Sequence, residues 1–256
     1  SDAGLTRAEH RLHLRCELCH PDTLSVFRDL VENPLVQLVS VMDHSPGQRQ
    51  FVLESKYREY YMGKYHLSTT QMDEFITLQM ANSRTYSDRY RAAIVEHCLA
   101  LGLSVASHDD ATLAHVEESA RYGMTIAEFP TTVEAARGCR EHGMNVLMGA
   151  PNIVRGGSHS GNVAAFDLAD EGLLDILSSD YYPASLLQSA FALAAQSERI
   201  GLAEAVRMVS LNPARAAGLN DRGEIAPGLR ADLLQARSQD GLPVVQQVWR
   251  QAKRVF

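Results

Sequence analysis

The sequence predicts an α/β protein built on parallel strands, and three observations carry that prediction. Four times between Gly102 and Asp180 a helical segment ends at a glycine and a short apolar run follows at once: Gly102-LSVASHDD, Gly123-MTIAEFP, Gly143-MNVLMGAP and Gly172-LLDILSSD. Glycine accepts the left-handed conformation that closes a helix, and apolar runs of this length suit strands buried on both faces. Each run then ends in polar side chains: His108, Asp109 and Asp110; Glu128; Asn152 and Arg155; Asp180. In parallel β/α folds those strand ends share one face, where chemistry collects.

The remaining elements follow in order. RLHLRCE, Arg11 to Glu17, alternates like a strand and ends on a carboxylate. Leu24, Phe27, Leu30 and Val31 then fall at helical spacing, and Asn33-Pro34 stops that helix. LVQLVSVMDHSPG reads as a buried strand ending at Asp43 and His44. An insert dense in tyrosine and basic residues, GQRQFVLESKYREYYMGKYHLS, leads to an amphipathic helix over 69–101 with Ile94, Cys98 and Leu101 on its inner face. Leu113, Val116 and Ala120 mark the next helix, and Thr131-x-x-Glu134 reads as a capping box for the one after. Past Asp180, YYPASLLQSAFALAAQ, LAEAVRMVS and NPARAAGL read as helices, and the tail from GEIAPGLRADLLQA onward as short antiparallel strands. Six strands alternate with helices, which fits either part of a (β/α)8 barrel or an open doubly wound sheet; periodicity alone does not choose.

Bulk properties narrow the class. With 256 residues the chain can bury a sizeable core. A net charge of -7 argues against general nucleic-acid or anionic-membrane binding. No apolar run approaches a membrane span of about 18 residues, and SDAGLTRAEH has no signal-peptide pattern. Four cysteines are too few for a disulfide scaffold at this length, so a reduced, cytoplasmic protein is expected.

Chemistry-bearing residues gather at the strand ends. His108, in SHDD, suits a zinc or manganese ligand with an adjacent acid to orient it; capping by Asp109 or Asp110 is the plainer alternative. Glu17 closes a buried strand, where a carboxylate needs a cation. Asp180 can ligate a metal and take a proton from water, or cap the helix after Pro183. GAPNIVRGGSHSGN carries Arg155, Ser158 and His159 among glycines, an anion nest that matches neither a Walker A loop nor GxGxxG. In the insert, Lys56 and Lys64 interleave with tyrosines; that concentration fits polyphosphate neutralisation, a solvated amphipathic helix or a subunit contact equally. CELCH, Cys16 to His20, matches the haem-attachment pattern, yet nothing points to an export route, and these cysteines read as strand fillers.

Taken together, SHDDAT, IAEFPTT, MGAPNIVRGGSHSGN and LLDILSSDYYPASLL resemble the phosphonate-metabolism protein M family of the carbon–phosphorus lyase pathway, within the amidohydrolase superfamily. The tail NPARAAGL…DRGEIAPGLRADLL is similar to that superfamily's C-terminal return to a small β-sandwich. The resemblance implies a metal-dependent (β/α)8, TIM-like barrel, here incomplete: residues 1–210 supply strands 3 to 8 and residues 211–256 part of the sandwich. It implies hydrolysis of α-D-ribose 1-methylphosphonate 5-triphosphate to the 5-phosphate and pyrophosphate, with a divalent metal (zinc, manganese or iron) held by Glu17, His108 and Asp180. Asp180 would be the catalytic base. Arg155, Ser158 and His159, with His44, Lys56 and Lys64, would contact a small phosphorylated substrate, and a homo-oligomer is compatible with it. The superfamily's His-x-His pair has no counterpart, since no His-x-His occurs in the chain. Hydrolysis of an amide or cyclic amide, and a non-catalytic binding or assembly role, are the alternatives.

Overall fold

The computed structural model describes residues 7–51, 54–158 and 161–256. The chain divides into two compact units: Leu12–Met144, and the segment ending at Arg11 together with Asn145–Phe256.

In the first unit, four strands pair in parallel in chain order: β1 (Leu12–Glu17), β2 (Val36–Met42), β3 (Ser104–His108) and β4 (Ile126–Glu128). Helices α1 (Thr23–Val31), α2 (Glu54–Tyr65), α3 (Thr69–Ala100), α4 (Leu113–Arg121) and α5 (Val133–Glu141) follow or connect them. Val39, Val105 and Ala106 of the strands and Ile94 and Cys98 of α3 are fully or almost fully buried, so the α3 stripe does meet the core. Leu101, expected on that stripe, is 44% exposed, because it caps the helix as the chain turns at Gly102. Leu113 is likewise 44% exposed, and the buried face of α4 runs instead through Val116 and Ser119. The cap of α5 is Thr132, whose Oγ1 accepts from the Ala135 N–H. Thr131, the expected cap, donates its N–H to the Asp110 carbonyl. The tyrosine-rich insert forms α2 and packs Phe51, Tyr57, Met72 and Ile76 into a small apolar cluster of its own.

The second unit pairs β5 (Asn145–Gly149) and β6 (Ile176–Ser178) in parallel. Between them lie α6 (Ala150–Arg155) and α7 (Ala165–Asp170). The start of the expected glycine-rich loop is therefore helical: Arg155 is the last residue of α6, and Gly156 closes it in the left-handed conformation at φ 79°. Helices α8 (Ser185–Gln196), α9 (Leu202–Val209) and α10 (Leu211–Ala216) precede an antiparallel sheet of β7 (Leu233–Gln239), β8 (Leu242–Arg250) and β9 (Lys253–Arg254). GEIAPGL is turn and irregular chain rather than strand. Glu9 ties its segment to this unit, reaching Arg230 at 2.9 Å, Arg250 at 3.3 Å and Arg222 at 3.6 Å. The bond from Arg230 leads the causes that hold its carboxyl down at about 2.

The turn before that sheet requires glycine. Gly223 has φ 99°, and a Cβ there would lie 2.8 Å from the Leu211 Cα and 3.1 Å from the Ser210 carbonyl oxygen. Gly223→Ala should therefore cost about 1–3 kcal/mol of stability, read as a lower denaturant midpoint; an unchanged midpoint would contradict this close approach.

Candidate metal centre

The first unit brings its polar strand ends to one point because parallel register aligns them. Glu17 closes β1, His108 closes β3 and Glu128 closes β4, with His108 and Glu128 directly paired across the sheet. His44 lies two residues past the end of β2. Its Nδ1 is 2.6 Å from Glu17 Oε2, and its backbone N–H donates to Glu17 Oε1 at 2.9 Å. His108 Nδ1 meets Glu128 Oε2 at 2.8 Å. A carboxylate accepts only, so each Nδ1 carries the proton and each histidine is fixed with Nε2 as its free edge. Arg15, whose guanidinium stands 3.3 Å from His108 Nε2, accords with a lone pair there.

Both Nε2 edges face one oxygen. Asp109 Oδ2 lies 3.4 Å from His44 Nε2 and 3.4 Å from His108 Nε2. It is buried and has no hydrogen-bond partner. An unpartnered buried carboxylate oxygen is costly, and two imidazole nitrogens with a carboxylate oxygen are a donor set for a divalent transition metal. The donors therefore fit a metal. A second close group, Glu17, Cys19 and Asp43, adjoins it. There Cys19 Sγ donates to Glu17 Oε1 at 3.3 Å, and burial with the Glu17 charge pushes the thiol far up, against a thiolate ligand.

The turn that presents Asp109 is held from several sides. Asp109 has φ 55°, a left-handed conformation uncommon outside glycine, though aspartate tolerates it better than most side chains. Its N–H donates to the Glu128 carbonyl at 2.9 Å. Asp110 beside it accepts from Ser107 Oγ at 2.5 Å and pairs with the buried Arg49 guanidinium. Arg49 also reaches Glu118 at 2.8 Å, and Glu118 accepts from Arg91 at 2.9 Å. Asp43, next to His44, has both oxygens filled by Ser45, Ser83 and Ser87; against the cost of burial, these bonds hold its carboxyl below the usual range.

The amidohydrolase family profile matches residues 66–240. Over 254 residues the chain is 60% identical to the α-D-ribose 1-methylphosphonate 5-triphosphate diphosphatase of Escherichia coli (strain K12), covering 99% of this chain and 67% of that protein. The chain belongs to the amidohydrolase family. An adenine deaminase of Desulfatibacillum aliphaticivorans is 49% identical over 61 residues, 22% of this chain and 11% of that protein. Among solved structures, an uncharacterized protein aligns with TM-score 0.64 at 16% identity, covering 99% of this chain and 70% of its own. An adenosine deaminase from Xanthomonas campestris with bound zinc aligns at TM-score 0.55 and 16% identity, over 95% of this chain and 60% of its own. At such identities these structures establish the amidohydrolase barrel fold and nothing about chemistry.

Within this amidohydrolase, the expected site residues fall in different places. Glu17 and His108 both reach the cluster, Glu17 by way of His44 Nδ1. His44, expected as a ligand or a substrate contact, sits among the candidate ligands. Asp109 was legible only as an orienting or capping acid, since its left-handed turn cannot be read from SHDD. Asp180 belongs to the second unit, is exposed, has φ 47° and stands beside Gly149, where a Cβ would lie 3.5 Å from its Oδ2. Arg155 is exposed and donates to the Tyr181 hydroxyl at 3.2 Å. Ser158 Oγ accepts from the Asn162 N–H at 3.2 Å, and His159 lies outside the described residues. Lys56 pairs with Glu59 at 3.0 Å. Lys64 stands over Tyr65 and Tyr60 at 5.3 and 5.5 Å from the ring centres.

Burial opposes a charge on His44, but the Asp109 and Glu17 carboxylates outweigh it and raise the imidazole to about 9 from an ordinary 6.5. In metal-free protein the raised group stabilises fully below about 6.5, and that contribution is lost as pH rises through about 9. The melting temperature of metal-free protein should therefore fall between those pH values, and that of metal-loaded protein should not, because an ion replaces the Nε2 proton. Parallel pH profiles for the two forms would contradict the placement of the ion at His44.

Proposed function

We propose that this chain carries the metal-binding and catalytic core of a hydrolase that cleaves α-D-ribose 1-methylphosphonate 5-triphosphate to the 5-phosphate and pyrophosphate. The reaction belongs to phosphonate catabolism by the carbon–phosphorus lyase route. The observation that carries this reading is the 60% identity over 99% of the chain to the Escherichia coli diphosphatase, and the converging nitrogens of His44 and His108 supply a site for the chemistry. Residues 1–210 form the barrel part, and residues 211–256 the sandwich part. The setting is the cytoplasm, with a small phosphorylated substrate, no nucleic acid and no membrane; among the described residues no helix is long and apolar enough to cross one. A homo-oligomer is compatible with this reading.

In this reading His44, His108 and Asp109 hold a divalent ion, zinc by donor preference, with manganese or iron able to take the same set; Glu17 and Asp180 complete the ligand charge. When bound, such an ion supplies Lewis acidity, making water more acidic and steadying negative charge on phosphoryl oxygens. The chain's residues do the rest. Glu17 and Glu128 keep both imidazoles turned to the ion. Burial works against the charge of Glu128, but the His108 bond leads the interactions that hold its carboxyl below the ordinary value, so it stays an acceptor at neutral pH. Asp180 accepts the proton of the attacking water. Arg155, Ser158 and His159 hold phosphate or phosphonate oxygens and steady the departing pyrophosphate. Lys56 and Lys64 contribute only by exchanging Glu59 and the tyrosine faces for phosphate.

Asp180→Asn, assayed at metal occupancy matched to wild type, should lower kcat by about 10²–10⁴-fold; near-normal turnover with metal still bound would sink its role as base. Metal removal by chelation should abolish triphosphate cleavage, and readdition should restore it. If the loaded protein ignores triphosphates but cleaves amides, the amide alternative stands in its place.

A further inference from the structure

A polar cavity of about 420 Å³ opens between α3 and α4 of the first unit. Its lining includes four arginines: Arg49 and Arg91 are buried, and Arg84 and Arg121 are exposed. Arg91 is 5% exposed and commits only Nη1, to Asp88 at 3.0 Å and Glu118 at 2.9 Å. The rest of its planar donor fork has no partner among the described residues. Arg84 and Arg121 have no ion-pair partner among the described residues either. The acids present are already engaged: Glu118 by Arg49 and Arg91, Asp88 by Arg91, and Asp43 by three serine hydroxyls. His115, on the same wall, has its imidazole pushed down first by burial and then by the Arg49 charge.

We propose that this cavity binds a multivalent phosphate anion, with Arg91 as its buried floor and Arg84 and Arg121 closing on it from α3 and α4. Guanidinium forks match phosphate oxygens in bidentate fashion, and uncommitted cations around a polar hollow draw such an anion. Its wall is the Arg49–Glu118–Arg91 chain that also braces Asp110 beside Asp109, so the site is preformed by the same network that supports the metal cluster.

The inference goes beyond the proposed reaction and stands whether or not the cluster hydrolyses a triphosphate. The test is calorimetric titration of metal-loaded protein with inorganic pyrophosphate, and separately with inorganic phosphate, in wild type and in Arg84→Ala/Arg121→Ala. Pyrophosphate binding at this cavity is expected in wild type, weakened about tenfold or more in the variant, with metal content, melting temperature and activity at the cluster unchanged. Arg84→Lys/Arg121→Lys should recover part of the loss. Stronger binding of pyrophosphate than of phosphate marks a polyphosphate site; equal binding marks a general phosphate site. Identical titrations in wild type and variant, or a loss that accompanies loss of metal, would overturn the proposal.

Discussion

The site depends on one constraint: two imidazoles whose Nδ1 atoms are taken by carboxylates can offer only Nε2 to whatever lies between them. Glu17 fixes His44 and Glu128 fixes His108, and both Nε2 atoms stand 3.4 Å from one oxygen of Asp109. Without a metal that oxygen is buried with no close hydrogen bond, met only at 3.4 Å by the raised His44 imidazole, and burying it so costs stability. The four groups come from the ends of β1, β3 and β4 and from the turn after β2, so parallel pairing is what allows them to meet.

Holding Asp109 there requires a strained turn, and the strain is met by neighbours rather than by glycine. The left-handed conformation costs a general side chain on the order of 1–2 kcal/mol, and aspartate less. The Glu128 carbonyl receives its N–H, and Asp110 is locked by Arg49, Ser107 and Ser119. Arg49 comes from the 3₁₀ turn at the start of the insert, so the insert braces the cluster through this buried ion pair. Its aromatic side adds a second contact, Phe51 edge-on to His44 at 6.4 Å between ring centres.

Much of the scaffold could be read in the sequence because its signals are local. The four glycines at 102, 123, 143 and 172 all take positive φ, from 68° to 77°, and the predicted strands follow them. Local signals also misled: Thr131 and Thr132 are equally good caps by composition, and only packing selects Thr132. Leu101 and Leu113 lie at helical spacing yet face solvent, because helix ends rotate away from the core. At the site, Glu17, His44, His108 and Glu128 were visible as polar strand ends. Their pairing into two oriented histidines was not, since it depends on register across strands far apart in sequence. The arginine-lined cavity was invisible for the same reason, as Arg84 and Arg121 are 37 positions apart on separate helices.

The central claim is that His44 and His108 ligate one ion through Nε2. X-ray absorption on protein loaded with one equivalent of zinc tests it most directly. The account predicts two imidazole nitrogens at about 2.0–2.1 Å with oxygen in the remaining positions, and a single imidazole after His44→Ala. A shell of oxygens alone, or one unchanged by that substitution, would contradict it.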